Sequence, residues 1–158
     1  MALSALSDEL MRAEGMMMQD QNEEALELLL RLAEDAEEYV DCNCQTTDEV
    51  QYFAFPTLFD RLAYRRVEND PRKLEDVHEP FDRLYVDLAM AYVRTGDYEN
   101  AMNALKTAIR WNPMNCGFRL DLADLFKIAG DIREHIALTF GVFERASEAR
   151  HLTRAFLN

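Results

Sequence analysis

The sequence predicts an all-α fold in which antiparallel helical hairpins stack as a short α-solenoid, and three observations carry that prediction. One 34-residue spacing recurs, since Leu88, Ala89, Tyr92, Gly96 and Asp97 return in the same order as Leu122, Ala123, Phe126, Gly130 and Asp131. A period of that length marks helical hairpins that each hide one face and need a neighbour to hide the other. Leu84, Tyr85, Leu88, Ala91 and Tyr92 fall on one helical face. Each copy also contains a Gly-Asp pair, in which glycine can end one helix in the left-handed conformation and aspartate can cap the next. The 158 residues fit one domain, read as a degenerate hairpin over 1–40, an irregular helical insertion over 41–80, the best repeat over 81–115, and a second repeat with a C-terminal helix over 116–158.

In chain order, Ser4 or Ser7 can cap a first helix carrying Leu6, Leu10, Met11 and Met17, and Asp20 with Glu23 has capping-box spacing for the next. Ala25, Leu26, Leu28, Leu29, Leu32 and Ala33 then make a broad apolar stripe. Ala25 matches Ala101, but the two stand 76 residues apart, eight more than two periods, so the excess is absorbed between them. Met16, Met17 and Met18 beside Met11 read as core filling at the hairpin end, the other reading being an adaptable binding surface.

The insertion holds the irregularity. Thr46 with Glu49 has capping-box spacing, Pro56 kinks that helix or starts another reaching about Glu68, and Asp70-Pro71 starts a short helical piece that Pro80 ends. Tyr52, Phe53, Phe55 and Phe59 read as a plug packed between the hairpins, or else as a ligand pocket or dimer surface. Beyond it, Pro80 suits a first helical turn. Tyr98, Ala101, Met102, Leu105, Ala108 and Ile109 form the second helix of the best repeat, which Asn112-Pro113 breaks. Small Ala89 and Ala101 let the paired helices approach closely.

In the next unit His135 stands where a small residue is expected, so either Ala137 takes the close contact or the histidine points outward. The last stretch reads as one helix to about Ala146 and another from Ser147, with Leu152, Ala155, Phe156 and Leu157 leaving an apolar end. A repeat array needs a polar-faced cap, so either the array continues past this end or the end docks on another subunit.

Tyr85, Leu88, Ala89, Tyr92, Gly96-Asp97, Ala101, Leu105, Ala108 and Pro113 together resemble the tetratricopeptide repeat family, best over 82–115 and degenerate elsewhere. The resemblance implies a right-handed solenoid whose first helices line a concave, peptide-binding groove. Carried onto this chain, that groove comprises Arg83, Val86, Met90, Val93, Arg94, Leu120, Asp124, Lys127 and Ile128. The family's carboxylate clamp needs asparagine where Met90 and Asp124 stand, and basic or polar residues where Val86 and Leu120 stand. The departure points away from acidic tails and toward an amphipathic or basic segment, with Asp87 and Asp121 at the groove's edge.

Charge agrees with that preference. Of a net −13, residues 1–50 carry 14 acids against only Arg12 and Arg31. Nucleic acid and anionic membrane need cationic surface, whereas an acidic field steers a basic partner; equally, the acids serve simply to solubilise outer helix faces. No apolar run approaches the roughly 20 residues that cross a bilayer, and the N-terminus lacks the basic and apolar regions of a secretory signal. Cys42, Cys44 and Cys116 form no disulfide framework, so a reducing cytoplasm is the simplest location. Cys42-Asn43-Cys44 lacks zinc-knuckle spacing, and His78, His135 and His151 show no ligand spacing. No Gly-rich phosphate loop, nucleophile elbow or zinc-protease helix occurs. The expectation is a non-catalytic adaptor or chaperone-like scaffold without cofactor, binding a protein or peptide. The alternative is a structural homo-oligomer paired through the aromatic insertion or the C-terminal apolar patch.

Overall fold

The computed structural model describes residues 3–146 and 149–158. Helices α1 (Leu3–Met18) and α2 (Asn22–Asn43) form the first hairpin, α4 (Phe81–Arg94) and α5 (Tyr98–Trp111) the second, and α6 (Cys116–Ile128) and α7 (Ile132–Arg145) the third, followed by α8 (Ala149–Leu157). Between α2 and α4 lie β1 (Val50–Phe53), α3 (Leu58–Val67) and β2 (Lys73–Asp76). Each hairpin packs on the next, α2 against α4 and α5 against α6, so the expected stacked all-α array is present.

All three hairpins close with the same turn. At the end of α4, Gly96 has φ 83°, its N–H donates to the Val93 carbonyl, and the Asp97 N–H donates to the Tyr92 carbonyl. Gly130 (φ 85°) and Asp131 repeat this with Lys127 and Phe126. This Schellman arrangement satisfies carbonyls that the helix end leaves unpaired. Asp97 and Asp131 then cap the following helices by accepting from the Asn100 and Glu134 N–H groups. In the first hairpin Asp20 holds the glycine place at φ 64°, bonding to Met17, while Gln21 bonds to Met16. Asp20 is thus the turn residue rather than the predicted cap, and Gln21 at the cap makes no side-chain bond. Ser7 lies inside α1, and the Ser4 side chain and the predicted start at Ser147 fall outside the described residues.

The same register explains the helix contacts. Ala13 and Ala25 in the first hairpin, like Ala89 and Ala101 in the second, are all essentially inaccessible. In the third hairpin Ala123 faces His135, which neither points outward nor yields its place to the exposed Ala137. The buried ring donates from Nδ1 to the Ala123 carbonyl at 2.9 Å, so one helix's main chain satisfies a polar group in the small-residue position. Of the methionines, Met17 is core and Met16 packs beside it, while Met11 and Met18 are exposed.

The insertion differs most from expectation. Thr47 makes a turn by accepting from the Glu49 and Val50 N–H groups, and the segments after Thr46 and Asp70-Pro71 become parallel strands, not helices. Parallel strands need a crossover, which α3 supplies, capped by Thr57. Phe53, Phe55, Tyr64, Leu74 and Met114 form a separate small core, with ring centroids 4.7 Å apart for Phe53–Tyr64 and 4.9 Å for Phe53–Phe55. The aromatics therefore do not plug a gap between hairpins. Phe53 and Phe55 join Tyr64 and Leu74 of the insertion to Met114 of the α5–α6 connection, Tyr52 packs on the main core, and Phe59 is exposed.

Replacing Asp20 with glycine removes the cost of a side chain in the left-handed region and should stabilise the protein by about 0.5–1 kcal/mol. Urea unfolding would measure it, and a midpoint that stayed or fell would contradict the turn assignment.

Candidate functional site

Two of the hairpins' first helices, α4 and α6, carry the residues predicted to line a concave face. Arg83 donates to Glu14 on α1 through Nε and Nη2 at 2.7 and 2.8 Å, and Arg94 donates to the Met17 carbonyl near the end of α1 at 3.2 Å. Both arginines are therefore engaged in holding α1. Val86 packs half-buried against the main core. Leu120 is wholly buried with Cys116, Val142 and Ala155, so it lines no groove. Asp124 accepts from Arg154 of α8 and from Asn158 at 3.2 Å, while Arg154 also reaches Asp121 at 2.8 Å. Besides Arg94, which stays exposed despite that bond, four of the nine have exposed side chains: Met90 (50% exposed), Val93 (37%), Lys127 and Ile128. Val93 and Lys127, like Met90 and Asp124, hold equivalent places one period apart.

Asp87 lies inside this face, with only 7% of its surface exposed and Oδ2 without a partner among the described residues. Burial, then the Glu14 carboxylate beside it, pushes its carboxyl up to about 8 against a counteracting Arg83. Glu14 was missed in the sequence because it belongs to the degenerate hairpin, where the 34-residue spacing fails. Arg154 and Asn158 left a readable signal, since they stand one period after Leu120 and Asp124. Thus α8 continues the array, and Phe156 follows Leu122 by the same period.

Phe156 is nonetheless 78% exposed and Phe140 66%. With Phe143 they form an aromatic cluster, the Phe143–Phe156 centroids 4.9 Å apart and the Phe140–Phe143 centroids 6.1 Å.

Half a turn around α4 from Met90, its Phe81, Tyr85, Leu88 and Tyr92 floor a channel between α2 and α5. Its lower part is two adjoining clefts of about 640 and 380 Å³, which share Val40, Asp41, Arg110 and Trp111. The larger is bounded by Gln51, Tyr52 and Phe53 of β1. Arg110 lies over the Trp111 ring at 5.5 Å. Beside them Tyr85, pushed up to about 12 by burial and then by Glu37, stays a neutral phenol. Among the described residues no group of three or more His, Cys, Asp or Glu side chains could hold a metal ion, and no helix is long and apolar enough to cross a membrane.

Residues 82–115 match the family model described as tetratricopeptide repeat. No curated protein matches the chain.

Because the Asp87 pKa is raised on folding, the folded protein keeps a proton that the unfolded chain gives up. Its contribution is whole below the ordinary value of 3.8 and lost as pH rises to about 8. Asp87→Asn should remove that loss, so its advantage over the parent should grow between about pH 4 and about pH 8. Urea midpoints measured across that range would check it; a constant difference would refute the assignment.

Proposed function

We propose that the chain, built around the tetratricopeptide repeat at 82–115, is a non-catalytic adaptor or chaperone-like scaffold holding an amphipathic or basic protein segment along its concave face. A repeat of this kind is a protein-interaction module. The observation that carries the finer reading is that Met90 and Val93 stay exposed on α4 with Glu14, Asp121 and Asp124 on the neighbouring first helices. Apolar anchors flanked by carboxylates suit a segment with one apolar and one basic face. The acid-rich first 50 residues add attraction at long range.

The narrower set Met90, Val93, Lys127 and Ile128 replaces the predicted nine as the contact surface. Asp121 and Asp124, already paired with Arg154, add field rather than free hydrogen-bond sites. The test is capture from a lysate, at low and at high salt, by the parent and by Met90→Arg. The variant should hold about tenfold less partner, about 1.4 kcal/mol, with an unmoved melting temperature. Equal capture would remove this face from the site.

The aromatic cluster of Phe140, Phe143 and Phe156 favours a second reading, a homo-oligomer joined through the C-terminal patch. In that case sedimentation should show mass rising with concentration, and Phe156→Asp should abolish the rise. A monomer across the whole range would end that reading.

A further inference from the structure

We infer that the channel between α2 and α5 is a second docking site, which takes an extended basic peptide and pairs one of its residues with the main chain of Tyr52. It lies on the opposite side of α4 from the concave face and stands independently of it.

The first ground is the edge of β1. In a parallel ladder alternate residues turn their N–H and C=O groups to opposite edges of the strand. The Lys73 N–H bonds to the Glu49 carbonyl and the Val77 N–H to the Phe53 carbonyl, so the odd-numbered residues of β1 serve β2. The even-numbered residues face the other way. Val50 is satisfied by Thr47, whose hydroxyl accepts from its N–H and whose N–H donates to its carbonyl. Ala54 donates to the Trp111 carbonyl at 2.8 Å. Between them, the Tyr52 N–H and C=O have no protein partner among the described residues, and Tyr52 lines the 640 Å³ cleft. The far edge of the sheet is covered where Arg61 donates to the Leu74 carbonyl at 2.7 Å. An uncovered strand edge is a template for another extended chain.

The second ground is the chemistry of the walls. Glu34, Glu37 and Asp41 face the channel from α2 and offer only acceptors when ionised. Arg110 and Trp111 face it from α5; Arg110 has no carboxylate partner among the described residues, and the buried Trp111 Nε1 has no acceptor. A peptide backbone supplies both a donor and an acceptor at each residue, matching an acceptor wall opposite a donor wall. Glu68 and Arg72, which also line the larger cleft, are ion-paired with Arg145 and Asp70, so Glu34, Glu37 and Asp41 against Arg110 leave an acidic excess that favours cationic side chains.

Trp111 is the only tryptophan, so its fluorescence reports on the channel. Titration of the full chain with a blocked hexapeptide alternating Lys and Val should give a saturable change, together with a shift of the Tyr52 amide resonance. The Glu-Val counterpart should bind about tenfold more weakly. Tyr52→Pro removes the outward N–H at an edge position where proline is tolerated and should weaken binding about tenfold, whereas Tyr52→Ala keeps the N–H and should bind within about threefold of the parent. If Tyr52→Pro does not fold, the surface variant Glu37→Lys/Asp41→Lys carries the same expectation of loss. No saturable change with the Lys-Val peptide, or undiminished affinity in the folded Tyr52→Pro or Glu37→Lys/Asp41→Lys protein, would overturn the proposal. A fluorescence change on concentrating the protein alone would assign the channel to a second copy and equally overturn it.

Discussion

The close approach of the two helices within each hairpin is the constraint on which the rest of the structure depends. It needs a small residue on the first helix, usually a small one on the second, and a turn residue that accepts a positive φ. Ala89, Ala101 and Gly96 meet all three requirements together. The first hairpin keeps the alanines, Ala13 and Ala25, but turns on Asp20. The third keeps the glycine and replaces the second small residue with His135. Each departure is local because the other conditions still hold the hairpin shut. The histidine is accommodated there because the Ala123 carbonyl lies within reach of its ring and satisfies its buried N–H.

Stacking those hairpins creates two unlike surfaces. On one side α1, α4, α6 and α8 are laced by ion pairs, with Arg83 on Glu14 and Arg154 on Asp121 and Asp124. Most of the available charge there is spent on holding the array, leaving Met90, Val93 and Ile128 as the open apolar positions. On the other side α2 and α5 stand apart over α4, and the channel between them remains open. The insertion is tied to this side by the bond from Ala54 to the Trp111 carbonyl and to α7 by the ion pair of Glu68 with Arg145. It therefore bounds the open channel rather than filling the space between hairpins.

What the sequence revealed follows from how local the determinants are. The best repeat was legible because its turn, caps and apolar stripe all lie within 34 residues and agree with one another. The strands were not, because Val50–Phe53 and Lys73–Asp76 pair across a helix, and each alone offers only four residues. Of the predicted site, Met90, Val93, Lys127 and Ile128 proved exposed, while Leu120 and Val86 were claimed by packing that position within a repeat does not reveal. Arg83, Arg94 and Asp124 are the right kind of residue facing a partner from this same chain. The channel left no motif at all, since its walls come from α2, β1 and α5, far apart in the chain.

The covering of β1 at both ends has a further consequence for the protein in a crowded solution. Exposed strand edges recruit one another, and uninterrupted ones grow into stacked sheets. Here Thr47 closes one end and the Trp111 carbonyl the other, so a single residue is accessible. One such opening can hold a guest, yet it is too short to set the register of a second strand and so cannot seed a growing fibril.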